Sequence, residues 1–271
     1  MKGAAEVLEF RDAVYAFYEK EGRDFPWRKD TGPWGVLVSE FMLQQTQTER
    51  VLRYWERWTG LWPEPEGLAA APFEEVLREW SGLGYNRRAK YLHSCAKIIA
   101  GEYGGRVPDN PGELRKLPGI GGYCSGAIAC FGYNYPSVFI ETNIRAAVIH
   151  FFFKDRASVS DRDIRPILEG ALDREDPRRW YYALMDYGAA LKKTAANPNR
   201  KSAHYAKQSR FEGSFRQKRG RVVKALAFSG PASAKALARS TGMGEGEIYA
   251  VMDSLEKDLL VAEKGGLYRI R

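Results

Sequence analysis

From Glu6 to Lys20, Val36 to Trp58, Phe73 to Trp80, Arg87 to Tyr103 and Ile164 to Leu172, apolar residues recur at three- and four-residue intervals, and Pro and Gly stand in the breaks. Strand alternation is nearly absent up to Leu191. That pattern predicts an all-α body of short helices with short connections, without internal repeats or low-complexity tracts. A chain of 271 residues suggests two compact units, and 44% hydrophobic residues is enough for real cores.

The opening stretch MKGAAEVLEFRDAVYAFYEK mixes charges with apolar residues at helical spacing. It predicts neither a signal peptide nor a membrane span, so a cytoplasmic location is expected. Cys95, Cys124 and Cys130 are odd in number and form no CxxC pair, which argues against a disulfide framework or a thiolate zinc site and for reduced, buried thiols. His93, His150 and His204 are scattered, so no metal is expected. The net charge of +8 favours a polyanionic partner, because each neutralised phosphate releases a condensed counterion.

Beyond Leu191 the composition changes. Residues 192–221 carry Lys192, Lys193, Arg200, Lys201, Lys207, Arg210, Arg216, Lys218, Arg219 and Arg221 against a lone Glu212, as a solvated linker or a phosphate-tracking arm. Residues 222–271 then read as three helices and a hairpin turning at Gly265-Gly266, the order of a winged helix. Such modules bind DNA or dock proteins. The acidic Glu245, Glu247, Asp253, Glu256 and Asp258 would make poor groove readers.

In LPGIGGYCSGAIACF, residues 117–131, Gly119, Gly121 and Gly122 can take positive backbone dihedrals and leave N–H groups open just before a helix, where a phosphate oxygen fits. This is a helix-hairpin-helix signature, spanning about 113–130. SEFMLQQTQ, residues 39–47, reads as helix, with Glu40, Gln44 and Gln47 on one face. A carboxylate partly buried among apolar neighbours keeps its proton toward neutrality and can serve as a general acid, whereas on an amphipathic surface helix it would only be solvated. PSVFIETNIR, residues 136–145, inserts Glu141 and Asn143 between two apolar runs, as either a surface turn or a lined cleft.

Six pieces in order, FPWRKD at 25–30, SEFMLQQTQ at 39–47, WSGLGYNRRA at 80–89, LPGIGGY at 117–123, ETNIR at 141–145 and LMDYGA at 184–189, resemble the helix-hairpin-helix DNA glycosylase superfamily, and within it the MutY-type adenine glycosylases. The resemblance spans roughly residues 7–195 and implies a two-lobed fold, to which the small winged helix read from residues 222–271 would be appended. One lobe would be 1–30 plus 136–195, the other 31–135. It implies a monomer acting on double-stranded DNA with a mismatch or lesion and flipping the target nucleotide out of the stack.

In that family's terms Glu40 would protonate the departing base, Glu141 would face the developing oxocarbenium ion, and Tyr123 and Asn143 would complete the catalytic set. Trp27, Arg28 and Gln44 would line the base pocket, and Gln45 and Tyr85 would wedge into the stack. Gly119, Gly121, Gly122, Arg87 and Arg88 would contact the DNA backbone. Bifunctional relatives carry Lys where Tyr123 stands, and a phenol cannot form an imine, so no lyase activity is expected.

The chain departs from the pattern in three places. The family carboxylate at position 141 is Asp. The four-Cys iron–sulfur loop is expected to be missing, since Lys192 occupies its first ligand position and no Cys follows Cys130, so no cofactor is implied. The Nudix-like C-terminal domain of the family is likewise expected to be absent. The resemblance favours adenine opposite guanine or 8-oxoguanine; a thymine or damaged-pyrimidine glycosylase, or a non-catalytic DNA-binding protein, is the alternative.

Overall fold

The computed structural model describes residues 3–194, 197–207 and 210–271 and divides into two units. The first comprises Met1–Val36, Pro108–Lys116 and Ile120–Lys207; the second comprises Leu37–Val107, Leu117–Gly119 and Gln208–Arg271.

The chain order is α1 (Ala4–Glu21), α2 (Pro26–Lys29), α3 (Pro33–Leu43), α4 (Thr48–Leu61), α5 (Pro65–Ala70), α6 (Phe73–Trp80), α7 (Arg87–Glu102), α8 (Pro111–Leu114), α9 (Gly122–Tyr133), α10 (Thr142–Phe152), α11 (Asp161–Ala171) and α12 (Pro177–Thr194). A 3₁₀ turn at Pro198–Lys201 follows, then α13 (Phe215–Ser229), α14 (Ala234–Thr241), α15 (Glu245–Lys257), β1 (Val261–Lys264) and β2 (Leu267–Ile270). None of the described helices is long and apolar enough to cross a membrane.

In the first unit α10 packs along α12, α1 lies against α11 and α12, and α9 touches α12. Its core is aromatic. Phe10 meets Trp180 edge-on at 5.9 Å, and Phe139 stacks on Tyr181 at 3.9 Å, with both members of each pair fully or almost fully buried. Apolar spacing in α9 sends Ala127, Cys130 and Phe131 into this same core. Consequently α8 and α9 belong with the first unit, and not with the 31–135 lobe expected from the sequence. The small residues of α9 permit that approach: a Cβ at Gly126 would stand 3.0 Å from the Phe139 Cβ. All three cysteines are buried, and none forms a disulfide.

The expected 192–221 arm is structured along much of its described length. Lys192 and Lys193 extend α12, and the 3₁₀ turn packs on α10 with Pro198 and Asn199 buried. Asn199 Nδ2 donates to Thr142 O at 2.9 Å, and Val159 pairs with Ser202. Backbone and amide hydrogen bonds thus hold a basic run that charge alone would leave solvated. Gln208 and Ser209 in the same run lie outside the described residues.

In the second unit Trp58 contacts Trp80 at 5.2 Å and Trp62 at 4.8 Å, and α5 and α6 pack on α7. Helices α13, α14 and α15 pack on one another, and the β1–β2 hairpin closes on them in the winged-helix order. Gly265 and Gly266 have φ of 64° and 76°, as the tight two-residue turn requires. The winged helix is no separate body here, because α13 also packs on α6.

Candidate active site

Glu40 lies on α3 in the second unit and is only 4% exposed, with Leu37, Phe41 and Met42 of the same helix fully or almost fully buried. Contrary to the sequence expectation, the helix stops at Leu43, so Gln44 and Gln47 do not continue the Glu40 face. The cause is Arg88. It is 6% exposed, its Nη1 donates to the carbonyls of Phe41, Met42 and Gln44 at 2.6–2.9 Å, and its Nη2 donates to Leu83 O, Gly84 O and Thr46 Oγ1 at 3.0–3.1 Å. The last carbonyls of a helix have no intrahelical donor, and one guanidinium supplies it here.

Arg88 therefore does not fit the expected role of a phosphate contact. Its planar fork is spent on six internal acceptors, and burial pushes its pKa down to about 10, still charged near neutrality. What it ties together is two turns. One presents Gln45, exposed and with φ of 55°; the other presents Tyr85, half-buried and with φ of 49°. Non-glycine residues held left-handed cost about 1–3 kcal/mol each, and such strain clusters at binding sites. The two residues expected to wedge DNA are thus both strained and both anchored to one buried cation. Trp80 Nε1 adds a hydrogen bond to Gly84 O at 2.9 Å.

Arg87 is exposed but engaged: its Nη2 donates to Tyr91 OH at 2.8 Å and its Nε lies 3.5 Å from Asp258 Oδ1. Of the three hairpin glycines only Gly119 has positive φ, 77°, and a Cβ there would stand 2.7 Å from Tyr91 Cδ2. Gly121 caps α9 in an extended conformation and Gly122 begins the helix, so neither needs the left-handed region expected of it. All three are exposed, with Gly121 and Gly122 at the positive end of a 12-residue helix.

The other half of the expected set sits in the first unit. Glu141 is the N-cap of α10, its Oε1 accepting from the N–H groups of Asn143 at 2.6 Å and Ile144 at 2.8 Å, and its Oε2 from Asn143 Nδ2 at 3.2 Å. Asp, Asn, Ser and Thr usually fill that position, and the longer Glu reaches it by folding back on the first turn. Burial pushes the Glu141 pKa up, opposed by the two backbone N–H groups and by the charges of Lys192 and Arg145. Lys192 responds in the opposite sense: burial lowers its pKa and Glu141 raises it. Arg145 is fixed by Asp161 through bonds of 2.7 and 2.8 Å. Tyr123 meets Phe139 edge-on at 5.9 Å.

Trp27 and Arg28 were expected at a base pocket. Trp27 is 6% exposed and stacks on Phe25 at 5.1 Å. Arg28 makes a two-pronged contact to Asp186 at 2.8 Å and 2.8 Å, donates to Arg23 O, and has its guanidinium 4.5 Å from the Tyr182 ring. Both are packed inside the first unit, and the Arg28 fork that would face a base is occupied by a carboxylate. Sequence reasoning missed Asp186 and Gly188 in LMDYGA as the partners of the Arg28 and Asn143 segments. An Asp two residues before a Gly in a helix was the available signal.

An iron–sulfur cluster does not fit these residues. Lys192 carries an ammonium at the position where the resemblance expects the first thiolate, Cys124 and Cys130 are buried on α9 and Cys95 on α7, and among the described residues no three His, Cys, Asp or Glu side chains gather as a metal site.

Comparison with known proteins agrees with the motif order. Residues 38–170 match the HhH-GPD superfamily base excision DNA repair protein model. The chain is 42% identical over 182 residues to an adenine DNA glycosylase of Mycobacterium tuberculosis strain CDC 1551 / Oshkosh, covering 66% of this chain and 60% of that one. It is 32% identical over 202 residues to the human adenine DNA glycosylase, covering 70% of this chain and 37% of the relative. The chain thus spans less than two thirds of the length of these relatives. Among solved structures, a thermostable thymine-DNA glycosylase superposes with a TM-score of 0.66 at 23% identity, over 73% of this chain and 92% of that one. An endonuclease III–DNA covalent intermediate does so with 0.62 at 18%, over 72% and 91%. These two likenesses carry the fold alone.

Proposed function

From its membership of the HhH-GPD superfamily of base excision DNA repair proteins, to which this chain belongs, we propose that it is a monofunctional adenine DNA glycosylase. It acts as a monomer in the cytoplasm on duplex DNA carrying adenine opposite guanine or 8-oxoguanine. The observation that carries this reading is the buried carboxylate of Glu40 on the helix that runs directly into the Arg88-held Gln45 turn. Adenine is favoured over other bases because the relatives at 32–42% identity are adenine DNA glycosylases.

Glu40 donates its proton to the departing adenine as the C1′–N bond breaks, which converts a poor leaving group into a neutral one. The sugar becomes an oxocarbenium ion, and the Glu141 carboxylate stabilises that charge in the transition state. Water adds at C1′ and releases its proton, leaving an abasic sugar. Gln45 and Tyr85 replace the stacking that the flipped base gives up. Tyr123 has no amine, so the abasic product is not carried on to strand cleavage through an imine at that residue.

The test is single-turnover incubation with duplexes that each bear one mismatch or lesion, followed by alkali to cut abasic sites. Excision of adenine is expected, without a borohydride-trapped adduct. Glu40→Gln should abolish turnover and keep duplex affinity nearly intact, since the amide preserves shape without an acidic proton. Silence of the wild-type protein across the panel would leave only the DNA-binding alternative.

A further inference from the structure

The C-terminal module reaches the Tyr85 turn. Arg216, in the first turn of α13, donates Nη1 to Tyr85 OH and holds its guanidinium carbon 5.0 Å from the Tyr85 ring centroid. Arg88 lies 5.5 Å from the same centroid. One aromatic ring, in a left-handed residue with φ of 49°, is thus gripped by two guanidinium groups, one buried below the turn and one brought from 131 positions along the chain. Arg216 lies also 5.6 Å from the ring of Phe211, which is 54% exposed.

The grip is backed by a fixed docking. Arg78 Nε donates to Ala227 O at 2.5 Å, Lys90 Nζ donates to Asp258 O at 2.9 Å, and Arg219 pairs with Asp258. Module and turn form one unit, so the position of Arg216 relative to Tyr85 is set by packing and not by a swinging linker.

We propose that Arg216 is a positioning residue of the DNA wedge: it sets the Tyr85 ring for insertion beside the base opposite the excised one, and with Phe211 extends the contact surface along that strand. The partner chemistry follows from the residue types. An exposed phenyl ring offers a face to a base, a guanidinium held over a phenol offers planar cationic surface, and the exposed Arg210 and Arg221 of the same stretch of chain add charge for phosphates. A groove-reading helix is not needed for this, which fits the acidic Glu245, Glu247 and Asp253 on α15. The inference rests on the glycosylase reading above, and it assigns the winged helix a part in contacting the opposite strand.

The experiment uses the full chain and a duplex in which 2-aminopurine stands opposite a stable abasic analogue, so that stacking of an aromatic side chain is read as a fluorescence change without any turnover. Tyr85→Leu sets the response without the wedge. Arg216→Ala should fall to that response and slow single-turnover excision of mismatched adenine by about 10-fold or more, in line with the cost of a misplaced positioning group, while the thermal midpoint stays at the wild-type value. Arg216→Lys keeps the charge but not the planar stack, and should restore affinity without restoring the fluorescence response. Phe211→Ala, which removes an exposed side chain, should weaken duplex affinity more than it slows excision. A wild-type fluorescence response in Arg216→Ala, or full recovery in Arg216→Lys, would overturn the proposal. If the wild-type protein binds and quenches but excises no base, the glycosylase reading fails while the Arg216 comparison still decides this one; if it binds no duplex, both fall.

Discussion

Gly188 lies against the backbone of Asn143: a Cβ at position 188 would stand 1.9 Å from the Asn143 carbonyl oxygen and 2.6 Å from its carbonyl carbon. Helix α12 therefore touches the first turn of α10 backbone to backbone, at the residue whose N–H the Glu141 carboxylate accepts. Helix propensity alone says that Gly188→Ala should stabilise α12 by about 1 kcal/mol. Overpacking costs about 1–3 kcal/mol, and backbone cannot rotate away as a side chain can. The overlap should win. Gly188→Ala is expected to lower the thermal midpoint and to slow excision by moving Glu141, read by calorimetry and single-turnover assay on the same preparation.

The Arg28–Asp186 pair predicts that the first unit is acid-sensitive. Burial alone would raise the Asp186 pKa, but the Arg28 hydrogen bonds and charge, helped by Arg23, hold it below the usual carboxylate value. A depressed folded pKa contributes stability that is present above the unfolded value, about 3.9, and is lost as pH falls through the folded one. Asp186→Asn should cost about 3–5 kcal/mol at pH 7, because it leaves a buried guanidinium without its charge partner. The gap between mutant and wild type should narrow in unfolding titrations toward pH 3. A gap that stays constant with pH would mean that the pair does not titrate with folding.

Arg88 separates a strut from a phosphate contact. A residue that neutralises a phosphate contributes about 0.9 to the slope of log affinity against log salt. Arg88→Lys should leave that slope unchanged, since the guanidinium is buried on protein acceptors. Stability should nevertheless drop by about 2 kcal/mol or more, because three ammonium hydrogens in tetrahedral array cannot serve acceptors spread across two turns. Denaturant unfolding and salt-dependent binding on one variant check both halves.

Helical periodicity was legible in the sequence because it is local: the body is helical where apolar spacing is three and four, and Gly265-Gly266 turns the hairpin. The motif order was legible too, and residues 38–170 match the family it implied. What escaped were long-range uses of charge. Nothing near Arg88 distinguishes it from Arg87, yet one is 6% exposed and the other is on the surface. The stop of α3 at Leu43 was missed for the same reason, because the guanidinium that takes up its last carbonyls lies 44 positions beyond Gln44. Likewise Arg28 reads as a pocket residue until Asp186, 158 positions away, is seen in its fork.

Glu141 and Lys192 make a last prediction, for stability and rate separately. Asp is an intrinsically better N-cap than Glu, so Glu141→Asp should leave the midpoint unchanged or raise it slightly. Its rate should fall by about 10- to 100-fold, because the carboxylate withdraws by more than 1 Å from the charge it is to stabilise. Glu141→Gln keeps an oxygen for the N–H groups of Asn143 and Ile144 and loses the charge, so it should fold well and turn over still more slowly. Lys192→Met then removes a cation that lowers the Glu141 pKa. The carboxylate must be ionised to act, so the acidic limb of the pH–rate profile should move to higher pH in that variant, with the rate on the plateau changed less than the limb. An acidic limb that stays in place would detach Lys192 from the titration of Glu141. Full activity in both Glu141 variants would remove Glu141 from the chemistry and leave it as a helix cap.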